Sequence, residues 1–197
     1  MKKLTFGLTG GIASGKSTAL KYFDQLGIPT CDTDQLARDV VSPGSEGQKE
    51  LAEAIGADYF HNGIVNRAKL RKALFLQQPL KQKVESIIHP RVGYAVEKWR
   101  QNSGTAPYQI LASPLLLETN QHDELDGVIV IDVNPDVQIR RACERDKLTV
   151  GEIEKIIHSQ LSRKERLSYA DFIFENSGSL AKLKHQIQNF HGQIIND

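Results

Sequence analysis

The segment Gly10-Gly11-Ile12-Ala13-Ser14-Gly15-Lys16-Ser17 satisfies the pattern G-x-x-x-x-G-K-[ST] at every fixed position. A short apolar stretch, Lys3 to Thr9, precedes it and reads as a strand. Behind it, Ser17 to Leu26 places Leu20, Tyr22 and Phe23 at helical spacing. Strand, glycine loop and helix in that order give the pattern a physical meaning. The glycines let the backbone curl until successive N–H groups point inward at phosphate oxygens, and the free N–H groups of the following helix add positive potential. Lys16 is then expected to reach β and γ phosphates, and Ser17 offers a hydroxyl to Mg²⁺. The sequence thus predicts a nucleoside triphosphate site formed by Gly11, Ile12, Ala13, Ser14, Gly15, Lys16, Ser17 and Thr18.

The remaining pattern extends this start into a sheet. Gly27 closes the first helix, Ile28 to Cys31 supplies a second strand, and Asp32-Thr33-Asp34 opens another helix. From Gln35 to about Ser103 the periodicity is almost wholly helical, with a turn signal at His61-Asn62-Gly63. Pro90 disfavours helix at the residue before it, so a break is expected at His89. Tyr108 to Ala112, Val128 to Asp132 and Phe172 to Phe174 are further strands, mostly separated by helical patterns. The expected fold class is α/β: a parallel five-stranded sheet with helices on both faces, of the P-loop NTPase type.

Composition removes other classes. The 197 residues suffice for a sizeable core, and 25 basic against 24 acidic residues leave a formal charge of +1. No large basic excess is available for nucleic acid, so phosphate recognition must be local. No apolar run approaches the roughly 18 residues that span a bilayer. Cys31 and Cys143 lie far apart without a Cys-x-x-Cys, which points to neither zinc nor a disulfide framework and favours the cytoplasm. No membrane association and no obligate protein partner are expected.

A phosphate loop leaves the acceptor open. Ligands of doubly wound sheets lie at the carboxyl ends of strands, where Asp32 and Asp34 follow the second one. A carboxylate there serves either to take a proton from an attacking hydroxyl or to cap the next helix. Arg141 and Arg145 sit one helical turn apart within a charge-dense block from about Arg140 to Arg166, where they either clamp a phosphoryl group under a lid or belong to a solvated face. Asp132 ends its strand, with Mg²⁺ support through water as the alternative reading. Cys31 reads as a small strand residue.

Taken in order, Leu8-Thr9-Gly10-Gly11-Ile12 leading into Ser14-Gly15-Lys16-Ser17, Asp32-Thr33-Asp34, Val65-Asn66-Arg67, Ile88-His89-Pro90, Pro114-Leu115-Leu116-Leu117-Glu118 and Glu175-Asn176-Ser177-Gly178 resemble the dephospho-coenzyme A kinase family. The resemblance runs from about residue 4 to 178, and its His-Pro and Pro-Leu-Leu-x-Glu elements are more specific than the loop. It implies a nucleoside-monophosphate-kinase-like fold within one domain: a core (about 1–35, 105–139 and 168–197), a helical substrate-binding part (about 36–104) and a lid (about 140–167). It also implies ATP with Mg²⁺, transfer to the ribose 3′-hydroxyl of dephospho-CoA, and Asp34 as general base. Lys16, Arg141 and Arg145 join Asp34 as catalytic candidates. Asp32, Arg67, His89 and Glu118 become substrate-site candidates, and Asn176 falls where the family places adenine.

Two positions depart from the family pattern. Gly is common where this chain has Ala13, and a methyl is tolerable there if φ is negative. A small residue, usually Ala, is common where this chain has Thr33. Two readings compete with the resemblance: a P-loop kinase for another small hydroxyl or nucleotide acceptor, and a GTP-binding switch. The second suffers from the absence of any Asn-Lys-x-Asp segment.

Overall fold

The computed structural model describes residues 3–102 and 104–196. Expectations that run to residues 1, 2, 103 or 197 lie outside the described residues at those positions. The chain order begins β1 (Leu4–Thr9), α1 (Lys16–Gln25), β2 (Thr30–Asp32), α2 (Thr33–Asp39), α3 (Glu46–Ile55), β3 (Phe60–His61), β4 (Ile64–Val65), α4 (Arg67–Leu76) and α5 (Gln78–Asn102). It continues β5 (Tyr108–Ala112), β6 (Gly127–Asp132), α6 (Pro135–Asp146), α7 (Val150–His158), α8 (Arg163–Ser168), β7 (Phe172–Glu175) and α9 (Leu180–Asn196). Two compact units result, divided after Asp32 and after Asn102.

The first unit carries the five-stranded sheet, in the order β2-β5-β1-β6-β7, with every pairing parallel. β1 lies at its centre, with Leu8 in register with Ala112 on one side and Ile129 on the other. Parallel strands covered on both faces must be apolar on both faces. β1 is accordingly buried from Thr5 to Thr9, and every residue of β5 is buried. On one face, α1 and α9 close over Phe6, Leu8, Tyr108, Ile110, Ile129 and Ile131. Phe190 of α9 forms the hub, meeting Phe6, Phe23, Tyr108, Phe172 and Phe174 edge-on at centroid distances of 4.8 to 6.0 Å. On the other face Leu116, Leu117, Val128 and Val130 pack with Leu161 and Leu167. That second layer fixes the segment around α8 on the sheet.

The second unit is helical around Val41, Leu51, Val65, Leu70, Val84 and Ile87. The turn expected at Asn62-Gly63 joins β3 to β4 in an antiparallel hairpin, with φ of 49° and 73° at its two central residues, as a two-residue hairpin turn demands. Both short strands were absent from the helical expectation.

The break expected at His89 does not occur. α5 runs through Pro90 for 25 residues. An interior proline costs about 3 kcal/mol through its missing N–H and its clash with the preceding turn. Burial of Val84 and Ile87 returns roughly 1.5–3 kcal/mol each, so packing against α2, α3 and α4 outweighs the local defect. Arg91 adds a clamp, donating to the Ile87 carbonyl at 2.9 Å and pairing with Glu50 on α3. His89 is therefore an exposed residue of a continuous helix.

Candidate active site

The phosphate loop links the carboxyl end of β1 to α1. The chain curls because three residues take positive φ, Gly10 at 155°, Ala13 at 55° and Gly15 at 99°. Ser14 N–H donates to Gly11 O at 3.1 Å, which closes the first turn of the loop. Gly15 is required there for a second reason: a Cβ would lie 2.2 Å from Nδ2 of Asn176. No side chain caps α1, and no acidic residue occupies its first turn, so positive potential from the helix terminus stays uncompensated. Lys16 arches back, donating from Nζ to Gly10 O at 2.6 Å. Ser17 follows it on the first turn with an exposed side chain.

The φ at Ala13 corrects the condition set from sequence, which was a negative angle. A non-glycine residue in the left-handed region costs roughly 1–2 kcal/mol. The glycine alternative costs roughly 0.5–1 kcal/mol in chain entropy, so the two nearly balance. Ala13→Gly should therefore retain ATP affinity and shift thermal stability upward by at most a few degrees. A several-fold weaker ATP affinity, measured by calorimetry, would contradict this loop geometry.

Three elements of the first unit reach the loop from elsewhere in the chain. Asn176, just past β7, is 2% exposed; its Nδ2 donates to Ser14 O at 2.7 Å and its backbone carbonyl accepts from Arg141 Nη1 at 2.8 Å. Ser14 Oγ and Asn176 Oδ1 are buried without a hydrogen-bond partner among the described residues. Gln138 on α6 walls the second glycine: a Cβ on Gly11 would fall 2.4 Å from its Nε2 and 3.3 Å from Nη1 of Arg166. Gln160, between α7 and α8, accepts the Ile12 N–H on Oε1 at 3.0 Å.

The surrounding charges are organised around the ends of β6 and β7. Asp132 takes a two-pronged contact from Arg163, at 2.8 and 2.6 Å, and the contact raises the guanidinium pKa. Burial lowers the Arg166 pKa, opposed by Glu118 and Asp132, and its Nη2 donates to Leu161 O at 2.6 Å. Glu118 is exposed and accepts Leu161 N–H at 3.1 Å. Of the two arginines predicted to act together, Arg141 turns to Asn176, whereas Arg145 pairs with neighbouring Asp146 at 2.8 Å. Asp32 ends β2 in the first unit; Asp34 is an exposed first-turn residue of α2 in the second. Arg67 begins α4, exposed, with Nη2 3.4 Å from Arg38 O. A cleft of about 470 Å³ in the second unit is lined by Gln48, Lys49, Ala52, Ala57, Phe60 and Gly63, and includes neither Arg67 nor His89. Among the described residues no His/Cys/Asp/Glu cluster suited to a metal occurs.

Beside Asn176, the Glu175 carboxyl is drawn from 4.5 down to about 2 by hydrogen bonds from Lys182 and from the Ser177 side chain and backbone. A depressed carboxylate stabilises the fold above its ordinary pKa, and that stabilisation is lost as pH falls from about 4.5 toward 2. Urea unfolding should accordingly find wild type more stable than Glu175→Gln at pH 6, with the gap narrowed at pH 3 and closing only near pH 2. A gap that does not change with pH contradicts the assignment.

The family model for dephospho-CoA kinase matches residues 4–182. The chain belongs to the dephospho-CoA kinase family. A dephospho-CoA kinase of Hahella chejuensis is 44% identical over 191 residues, covering 96% of this chain and 91% of the relative. The solved structure of a Thermus thermophilus protein superposes with a TM-score of 0.85 at 25% identity over 98% of both chains. Dephospho-CoA kinase from Campylobacter jejuni gives 0.70 at 23%, covering 96% of each chain, which supports the fold. The five-stranded parallel sheet and the phosphate loop are thus those of a P-loop kinase family, as the sequence predicted. Gln138, Gln160, Arg163 and Arg166 were not among the predicted site residues. Neutral amides carry no motif, and the two arginines were absorbed into a block that reads as a solvated face.

Proposed function

We propose that this chain transfers the γ-phosphoryl group of ATP to the ribose 3′-hydroxyl of dephospho-CoA, giving coenzyme A and ADP, the last step of coenzyme A synthesis. The observation that carries the reading is an assembled phosphate loop within a chain that matches the dephospho-CoA kinase family along nearly its whole length. Phosphoryl transfer asks a protein mainly for positioning and for positive charge where negative charge develops. The loop N–H groups and the α1 terminus receive the β-phosphate. Lys16, now held on Gly10 O, swings a few ångström to bridge the β and γ phosphates. The exposed hydroxyl of Ser17 is a hard oxygen donor that would hold Mg²⁺. Bound there, the ion would offset charge on the phosphates.

Asp34 serves as general base. The role rests on the family resemblance and on its carboxylate following β2 two residues past Asp32 in the sequence. That carboxylate holds the 3′-hydroxyl in line and takes its proton as the oxygen attacks phosphorus. The helical residues from about 36 to 104, with Arg67 and His89, hold the acceptor together with Asp32 and Glu118. Residues from about 140 to 167 form the lid that brings Arg141 and Arg145 to the phosphates. For Asn176 the adenine role rests on the family resemblance, and its buried amide adds the task of holding Ser14. Two thiols with no disulfide between them suit a cytoplasmic enzyme.

The reading is tested by ADP release with ATP and Mg²⁺ across an acceptor panel of dephospho-CoA, nucleoside monophosphates, shikimate and pantothenate. Turnover with dephospho-CoA should exceed the others by orders of magnitude in kcat/KM. A preference for another acceptor would keep the kinase fold and overturn the assignment.

A further inference from the structure

The segment from Gln160 to Arg166 is tied to three separate pieces of the first unit. Its first residue accepts the Ile12 N–H of the phosphate loop, 148 positions away, at 3.0 Å. The next, Leu161, donates its N–H to Glu118 at 3.1 Å. Arg163 grips Asp132 at the end of β6 through two hydrogen bonds. Arg166 is braced by Leu161 O at 2.6 Å, with Nη1 directed to the flank of Gly11. α8 is fixed in turn by a capping box, with Ser162 and Glu165 satisfying each other's backbone N–H groups.

This arrangement addresses a problem set by the loop itself. A phosphate loop presents many N–H groups to one concavity, and each must keep its direction when no phosphate is there. Ile12 N–H is the one whose neighbour, Ala13, takes a left-handed conformation without glycine's freedom. An acceptor that fixes this N–H fixes the entry to that turn. Gln160 is partly buried, and the described residues offer its Nε2 no hydrogen bond, so its one anchoring contact is the Ile12 N–H.

We propose that Gln160 is a positioning residue for phosphoryl transfer: its side-chain carbonyl holds Ile12 N–H, sets the shape of the phosphate loop, and ties the Arg166 cation to the loop's flank. The proposal rests on the kinase reading above for its catalytic consequence, and on geometry alone for its effect on ATP binding. A hydrogen bond of this kind, lost with its donor left unpaired, is worth on the order of ten-fold in binding.

The test compares wild type, Gln160→Ala and Gln160→Glu by amide exchange of Ile12 in NMR, by ATP affinity from calorimetry without acceptor, and by steady-state kinetics. In Gln160→Ala, Ile12 exchange should speed up and ATP affinity fall about ten-fold, with KM for dephospho-CoA within two-fold of wild type and thermal stability little changed. Gln160→Glu keeps an acceptor oxygen in place and should return Ile12 exchange to the wild-type rate. Wild-type exchange and wild-type ATP affinity in Gln160→Ala would overturn the proposal, as would a fall in kcat with ATP affinity unchanged. Wild-type enzyme that binds ATP yet leaves dephospho-CoA unmodified would overturn the functional reading instead, while exchange and calorimetry would still decide the role of Gln160.

Discussion

Lys16→Ala should lower kcat by about 10²–10³-fold, the usual loss when one preorganised charge donor is taken from a transition state. The side chain is the loop's own cation, and it is stored on the Gly10 carbonyl at 2.6 Å and the Gly11 carbonyl at 3.4 Å. Those two acceptors are neutral carbonyls, whereas a triphosphate offers the ammonium several negative charges. In the proposed reaction Lys16 would meet the γ-phosphate as charge migrates from it toward the bridging oxygen, so its removal should weigh more on kcat than on ATP affinity. Stopped-flow binding of a fluorescent ATP analogue beside single-turnover kinetics separates the two. A variant that binds ATP ten-fold more weakly and turns over at the wild-type rate would assign Lys16 to ground-state binding only.

Asp34→Asn should lower kcat by about 10²–10⁴-fold, the range attributed to a positioned general base. The substitution keeps shape and removes the carboxylate that the proposed mechanism uses as proton acceptor. ATP affinity should stay within two-fold, because Asp34 belongs to α2 and is not one of the phosphate-loop residues 10–17. Solvent isotope effects offer a second reading: a proton in flight in wild type should leave a larger effect on kcat than the variant shows. The neighbouring Asp32→Asn should cost far less in kcat and more in acceptor KM. Equal turnover by Asp34→Asn and wild type would remove the base from the mechanism.

The parts of this molecule that were legible in sequence are those fixed by local geometry. Gly10 to Ser17 must spell its own backbone path, so the loop, the strand before it and the helix behind it could be read together. Val128 to Ile131 and Tyr108 to Ala112 are buried on both faces and therefore stand out as largely apolar runs. Asn62-Gly63 announces a turn because few other pairs accept two positive φ angles in succession. What failed was decided by packing at a distance. Pro90 breaks a helix only when nothing else holds it, and here α5 is clasped along its length by three other helices. Ala13 takes a left-handed angle that its side chain disfavours, because the loop closure around Ser14 demands it. Gln160 and Gln138 meet the loop from far along the chain, and a neutral amide gives no signal of that in a linear pattern. Arg166 lies amid alternating charges that read as a solvated helix face, yet its guanidinium is largely covered beside Gly11.

The most direct test of the central claim is the product itself. Purified protein with ATP, Mg²⁺ and dephospho-CoA should yield a species heavier by one phosphoryl group that shows a phosphomonoester resonance on the ribose 3′-oxygen in phosphorus NMR, with one ADP per product. Unmodified dephospho-CoA, or a phosphate on any other position, would contradict the account.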